Sequence, residues 1–335
     1  MTGKQEGSLR PGRRKALQMV AGAAVLPWGG ALMAQGVWPE RPVKIVVPFS
    51  AGGTTDVVAR ALAQNLAEIW GQSVVVENRA GAGGNIGADT VAKAPPDGYA
   101  LLMTSGSIFT VNPHMYQKMP FDTVKDFIAV TNVASGPQLL VVHPSVPAKS
   151  VKELIALAKS KPGTINFGSA GFGSQVHMAA ESFVDAAGIK ATHIPYKGES
   201  QALADLASGS IQFMVANIAA AAPFVTSGRL RALGVTSKTR SELLPEVPTI
   251  AESGLPGFEN SGWFGFMLPA GTPKTIVDKI HRDTVKALND TAMKARLFVA
   301  GMAAVGNKPA EFSAAIAEES KRWARVVNNR GLKAN

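Results

Sequence analysis

Residues 43–70 read VKIVVPFSAGGTTDVVARALAQNLAEIW and hold the three elements that decide the fold. Val43–Val47 is a short β-branched run typical of a buried strand, and Pro48 ends it. After a turn with two glycines, the apolar spacing predicts a helix that runs to Trp70 and stops at Gly71. The same order of strand, glycine-bearing turn and helix recurs along the chain. This alternation predicts an α/β fold with mainly parallel sheets and flanking helices.

A second glycine-bearing loop matches the first. Residues 49–55 read FSAGGTT and residues 167–174 read FGSAGFGS, and each loop lies between a predicted strand and a predicted helix. A helix N-terminus offers unpaired backbone N–H groups and the positive end of the helix dipole, so it binds an anion without a basic side chain. Because ligands of open α/β sheets bind beyond the carboxyl ends of the strands, the two loops predict two lobes that share one anion site. Either loop alone would indicate no more than a tight turn.

Two helix starts bear on this site. Asp56 lies in the first turn of the first helix, with Arg60 one turn later, and this spacing favours a capping carboxylate over a ligand contact. Further along, the apolar spacing predicts a helix over residues 201–208.

The composition excludes several classes of function. The chain has 335 residues and no cysteine, which excludes disulfides, thiolate metal sites and a cysteine nucleophile. Of its five histidines, only His177 has a carboxylate at the helical i+4 spacing, that of Glu181. One such pair has fewer ligands than a metal site needs. We therefore expect no metal and no cofactor. The net charge is +10, but basic residues are concentrated only in the last segment, so we expect no nucleic-acid partner.

A glycine-rich segment invites a nucleotide-binding interpretation. Residues 79–87 read RAGAGGNIG, which resembles the spacing of a dinucleotide fingerprint. It follows the second predicted strand instead of the first, and no acidic residue lies about 20 positions beyond it at a strand end. We interpret the segment as a loop that shapes the rim of the cleft or packs a helix closely.

Serine hydrolysis is the alternative function. A nucleophilic serine on a strained elbow has glycine two positions away on each side, and Ser105, Ser169 and Ser174 all lack that pattern. We therefore expect that the protein is not an enzyme. An exported hydrolase that uses Ser169 or Ser174 with His177 remains the runner-up, since a triad can be assembled from distant residues.

The first 36 residues have the pattern of an export signal. Four basic residues lie within positions 10–15, and residues 16–36 are uncharged and rich in small and apolar side chains. Cleavage is expected after Gly36, with Ala34 as the second candidate. The sequence PWGG at 27–30 interrupts the apolar stretch and disfavours a membrane anchor. A twin-arginine route stays open beside general secretion.

Six motifs run in order through nearly the whole mature chain. They are residues 38–56 (WPERPVKIVVPFSAGGTTD), 77–84 (ENRAGAGG), 96–99 (PDGY), 168–174 (GSAGFGS), 193–198 (HIPYKG) and 263–265 (WFG). Together they resemble the Bug-type extracytoplasmic solute receptors, which are the binding proteins of tripartite tricarboxylate transporters.

The resemblance implies a periplasmic-binding-protein-like fold of two α/β lobes with the ligand cleft between them, and chain crossings near residues 130–140 and 255–265. We expect a first lobe of residues 37–133 plus 260–335 and a second lobe of residues 134–259. It also implies a periplasmic monomer that captures a small di-, tri- or aromatic carboxylate for membrane permease subunits. A sensor that passes ligand occupancy to a signalling partner would use the same ligand-closed state.

The resemblance also implies the residues that contact the ligand. They are Phe49, Ser50, Ala51, Gly52, Thr54 and Thr55 of the first loop, Gly168, Ser169, Ala170, Gly171, Phe172, Gly173 and Ser174 of the opposing loop, and Ser105, Ser107 and Asn217 after two further strands. Many relatives carry Phe-Asp-Asn where this chain has Val215, Ala216 and Asn217. Loss of that aspartate favours a more apolar or a purely anionic ligand.

Overall fold

Two β-sheets organise the chain, whose computed structural model describes residues 38–334 without the side chains of Asn329 and Arg330. The expected export signal and its cleavage after Gly36 lie outside the described residues. Within residues 38–334, no helix is both long enough and apolar enough to cross a membrane.

The first sheet has six strands in the first lobe. They are β1 (Val43–Val47), β2 (Val74–Asn78), β3 (Ala100–Ser105), β4 (Phe127–Gly136), β10 (Gly262–Pro269) and β11 (Ala303–Ala304). Their order is β11-β4-β10-β3-β1-β2. Strands β1 to β4 share one direction, whereas β10 lies antiparallel between β3 and β4, and β11 is an antiparallel edge strand.

The second sheet has five strands in the second lobe. They are β5 (Gln138–Val142), β6 (Asn166–Ser169), β7 (Thr192–Pro195), β8 (Phe213–Asn217) and β9 (Arg231–Val235), in the order β7-β6-β8-β5-β9. Strands β6 to β9 share one direction, and β5 lies antiparallel between β8 and β9. The predicted α/β fold is confirmed, but both sheets are mixed, because each receives one strand that enters from the other lobe.

Helices cover both sheets. The first lobe contains α1 (Thr54–Trp70), α2 (Asn85–Ala92), α3 (Ser107–Thr110), α4 (Asn112–Met115), α9 (Lys274–Leu288), α10 (Thr291–Val299) and α11 (Pro309–Arg330). The second lobe contains α5 (Val151–Ser160), α6 (Gln175–Ala187), α7 (Glu199–Ala207) and α8 (Ile218–Thr226). The predicted α1 is confirmed: Leu62 and Leu66 are fully buried against the first sheet, and Gly71 ends the helix with φ 62°.

Two adjacent segments connect the lobes. The chain leaves the first sheet at Gly136 and enters the second at Gln138, and it returns at Gly262. The hydroxyl of Ser261 donates to the carbonyl of Gly136 at 3.2 Å, so the outgoing and returning segments touch. Both crossings fall where the resemblance implied them, while the lobe bounds stay a prediction.

The lobes are packed together in this structure. Met178 on α6 of the second lobe is buried in a cluster with Val111, Met115, Trp323 and Val327 of the first lobe. Apolar contact of this kind across a cleft excludes water from it. The structure therefore shows the closed arrangement of the two lobes.

Candidate functional site

A small cavity lies where the carboxyl ends of β1 and β3 face those of β6 and β8. Its volume is about 20 Å³, which is room for about one water molecule. Seven of the residues that line it are predicted site residues, namely Phe49, Thr54, Thr55, Ser105, Ala170, Ser174 and Asn217. The other five that line it are Gly53, Gln175, Val176, Glu199 and Phe264, and none of them is among the predicted site residues.

The remaining predicted residues do not line this cavity. They are Ser50, Ala51, Gly52, Ser107, Gly168, Ser169, Gly171, Phe172 and Gly173. Gly168 is a packing position, since a Cβ there would lie 2.4 Å from Ile211 Cδ1. Ser107 lies behind Ser105, with the two hydroxyl oxygens 3.3 Å apart.

Several of these residues instead join the lobes around the cavity. The hydroxyls of Ser50 and Ser200 are 2.9 Å apart, and Ser200 donates to the carbonyl of Ala51 at 2.9 Å. On another part of the rim, the Tyr116 hydroxyl donates to the carbonyl of Phe172 at 3.0 Å. The first loop and the opposing loop thus hold the closed arrangement through polar contacts.

Asp56 supports the start of α1 instead of facing the cavity. Its carboxylate accepts hydrogen bonds from the backbone N–H of Gly52, the guanidinium of Arg60 and the amide of Asn78, each at 2.9 Å. Burial by itself would raise the pKa of Asp56, but these hydrogen bonds outweigh burial and the pKa is lowered. The predicted pairing with Arg60 is confirmed, and the carboxylate holds the turn before α1 through Gly52 instead of lining the cavity.

Glu199 provides a carboxylate between two helix N-termini. It is 5% exposed, and one of its oxygens accepts from the Thr54 hydroxyl at 2.9 Å and from the Thr54 N–H at 3.4 Å. The other accepts from the N–H of Asn217 at 2.6 Å, and the Asn217 side-chain amide lies 3.1–3.2 Å from both oxygens. Burial raises the pKa of Glu199, and the hydrogen bonds from Asn217 and Thr54 oppose that effect.

Thr54 begins α1 in the first lobe and Asn217 precedes α8 in the second. Glu199 therefore occupies an anion position made by both lobes. The sequence held one signal for this, because Glu199 directly follows the HIPYKG motif. Its contact with Thr54 spans 145 residues, and no local pattern indicates it.

The start of α6 forms the opposite wall. The Ser174 hydroxyl accepts from the N–H of His177 at 3.3 Å and caps the helix. The side-chain amide of Gln175, next to it, has neither its nitrogen nor its oxygen hydrogen-bonded within the described chain, and both atoms are buried. An amide in this state has free hydrogen-bonding capacity, and this one lies beside Gly262, where the chain returns to the first lobe.

The hydrolase pairs proposed from sequence do not form. Ser169 lies 2.6 Å from Nε2 of His193, not against His177, and Ser174 contacts the backbone of His177 but not its ring. Burial, together with the nearby His177, lowers the pKa of His193 to about 2. Among the described residues, Nδ1 of His193 has no hydrogen-bond partner, so no carboxylate orients the ring as a general base requires.

The glycine-rich segment lies at the rim of the cleft, as interpreted from the sequence. Gly83 has φ 60°, and a Cβ there would lie 2.2 Å from the carbonyl oxygen of Phe172 and 2.7 Å from the Tyr116 hydroxyl. The two lobes therefore approach each other through bare backbone at Gly83. In the part of the chain that the structure describes, no three His, Asp or Glu side chains form a group that could hold a metal ion.

Solved structures of known proteins share this architecture. The periplasmic binding protein BugD matches with a TM-score of 0.85 and 35% identity, covering 89% of this chain and 100% of BugD. An R. palustris protein solved with adipate matches with a TM-score of 0.86 and 38% identity, covering 88% of this chain and 99% of that protein. The two lobes and the cleft between them define a protein of the periplasmic-binding-protein class.

Sequence comparison shows the family to which the chain belongs. Residues 58–332 match the family described as the tripartite tricarboxylate transporter family receptor. Protein BugT of Bordetella pertussis (strain Tohama I) is 40% identical over 297 residues, which cover 88% of this chain and 91% of BugT. The chain belongs to this receptor family, and the resemblance predicted from its motifs is confirmed.

Proposed function

We propose that this protein captures a small carboxylate between its two lobes and delivers it to the permease subunits of a tripartite tricarboxylate transporter. The observation that carries the proposal is the cavity at the N-termini of α1, α6 and α8, where hydroxyl and amide groups meet without a basic side chain. Backbone N–H groups and helix dipoles suit this arrangement to an anion. A relative solved with adipate supports the choice of a carboxylate.

Capture requires the lobes to separate and close again. A cavity of about 20 Å³ is too small for a carbon chain with a carboxylate, so a ligand enters only when the lobes part. The contacts of Ser50 with Ser200 and of Tyr116 with Phe172 break in that motion and re-form around the ligand. The closed face presented afterwards is the form that a permease would recognise.

The proposal extends to location and assembly. Residues 1–36 are a signal peptide cleaved after Gly36, and the mature protein acts in the periplasm as a monomer. The lobes divide at Pro137 and near Ser261, a proposal that the end of β4 at Gly136 and the start of β5 at Gln138 support. The protein is a receptor and not an enzyme, which the pair of Ser169 and His193 supports, because no described residue orients the His193 ring.

Thermal unfolding of residues 37–335 tests the proposal. The protein is unfolded and refolded first to remove any bound ligand, then mixed with mono-, di-, tri- and aromatic carboxylates. A ligand at 100 times its Kd adds about 2.7 kcal/mol to the free energy of unfolding. For a protein of this size, that gain raises the Tm by several degrees.

A saturable rise for one class of carboxylate, with the ligand recovered unchanged, is the expected result. The absence of any rise across the panel would remove the carboxylate proposal. Hydrolysis of simple esters that is lost on Ser169→Ala would instead establish the hydrolase.

A further inference from the structure

We infer that Glu199 is a specificity-determining residue that makes this receptor select ligands with one carboxylate and an apolar body over dicarboxylates. The inference rests on the proposed function and names the class of ligand for the same cleft. The Glu199 carboxylate occupies one anion position of the cleft. A ligand therefore needs one carboxylate fewer than it would need if that position were free.

The hydrogen-bond donors at this anion position already bind the Glu199 carboxylate. The Thr54 hydroxyl and N–H and the Asn217 N–H and side-chain amide all point at the two oxygens of Glu199. A carboxylate has about four acceptor positions, and these contacts fill them. A ligand carboxylate can use Thr54 and Asn217 only after Glu199 has left, which would leave that side chain without its partners.

The charges of the residues that line the cavity also favour a ligand with a single carboxylate. Among the residues that line the cavity in the described chain, Glu199 is the only one with an ionisable side chain, and no lysine, arginine or histidine balances it. A ligand carboxylate placed next to Glu199 would be repelled strongly in a medium of low dielectric constant, so the one carboxylate of a ligand has to bind away from Glu199, at the α6 end of the cleft. The N-termini of α1 and α8 favour one negative charge between them, and Glu199 supplies it.

The rest of the cleft suits a single carboxylate on an apolar body. Ser174 and the unpartnered amide of Gln175 lie at the N-terminus of α6, on the wall opposite α1. Apolar side chains, Phe49, Val176 and Phe264, line the space beside them. A carboxylate at the α6 end would receive hydrogen bonds, and a hydrocarbon chain or ring would contact the apolar walls.

Matched ligand pairs test the inference. Hexanoate and adipate have the same six-carbon chain, and benzoate and terephthalate the same ring, so each pair differs by one carboxylate. Binding to refolded residues 37–335 is measured by calorimetry for the wild type, Glu199→Ala and Glu199→Gln. Glu246→Gln is the matched control, because it alters an exposed glutamate of the same lobe.

We expect the wild type to bind the monocarboxylate of at least one pair at least tenfold more tightly than its dicarboxylate. Glu199→Ala should shift that ratio towards the dicarboxylate by at least tenfold, and Glu199→Gln should shift it in the same direction. Glu246→Gln should leave the ratio unchanged. If Glu199→Ala does not fold, Glu199→Gln decides the question.

Two results would overturn the inference, and they are distinguishable. Dicarboxylates that bind the wild type as tightly as monocarboxylates, with a ratio unchanged in the Glu199 variants, would overturn the role of Glu199 and leave the receptor function standing. A wild type that binds none of the four compounds, and no other carboxylate of the thermal-unfolding panel, would overturn the proposed function and with it the inference.

Discussion

Gly83 is a position where one added methyl group tests lobe closure separately from folding. A Cβ at Gly83 would lie 2.2 Å from the carbonyl oxygen of Phe172 in the opposite lobe. Ordinary contact distances exceed that by about 1 Å, and backbone cannot rotate away as the end of a side chain can. Gly83→Ala should therefore hold the rim apart and weaken the hydrogen bond from Tyr116 to Phe172.

The size of the effect has two parts. A residue other than glycine at φ 60° costs about 1–2 kcal/mol in any arrangement of the lobes. Loss of the rim hydrogen bond costs the closed form about 1 kcal/mol more, and the steric contact adds to it. Ligand affinity should therefore fall by at least fivefold, because only the closed form bears the second part.

Gly71→Ala is the matched control. Gly71 has nearly the same φ, 62°, and a Cβ there would have no atom within 4 Å. Both variants should lower the Tm of the unliganded protein by similar amounts, while only Gly83→Ala should lose affinity in calorimetry. Equal affinities for the two variants would show that closure does not pass through the contact between Gly83 and Phe172.

Three further predictions concern stability and chemistry. Burial raises the pKa of Glu199, so at pH values above its ordinary pKa of 4.5 the folded protein binds more protons than the unfolded one. The free energy of unfolding therefore falls as the pH rises from 4.5 through the raised pKa. Glu199→Gln should flatten this dependence in denaturant titrations at several pH values. Leu62→Ala should lower the free energy of unfolding by about 2–5 kcal/mol, and a loss below 1 kcal/mol would contradict the packing of α1. Ser169→Ala should leave carboxylate affinity within twofold of the wild type, and neither protein should hydrolyse p-nitrophenyl acetate above the rate of buffer.

The alternation of strands and helices was predictable from the sequence because it depends on local spacing. Four of the five residues of Val43–Val47 are β-branched, apolar and buried, whereas Lys44 is exposed. The placement of β5 and β10 was not predictable from such runs. Each pairs with strands far away in the chain, so its direction is set by where the crossings lie.

The candidate site was predictable where it depends on helix starts. Thr54 and Ser174 follow glycine-bearing turns, and both line the cavity. Glu199 was missed because the apolar spacing places the helix start at residue 201, whereas α7 begins at Glu199 itself. Its first turn is shaped by contacts with Asn217 of the same lobe and with Thr54 of the first lobe, and the contact with Thr54 forms only when both lobes are present.

The position of β10 sets the order in which the chain can fold. This strand lies between β3 and β4 in the middle of the first sheet, yet it begins at Gly262, after every strand of the second lobe. A chain that emerges from its N-terminus can complete the second sheet while the first still lacks a central strand. Pairing over so long a separation is slow. The first lobe is therefore the last to be completed.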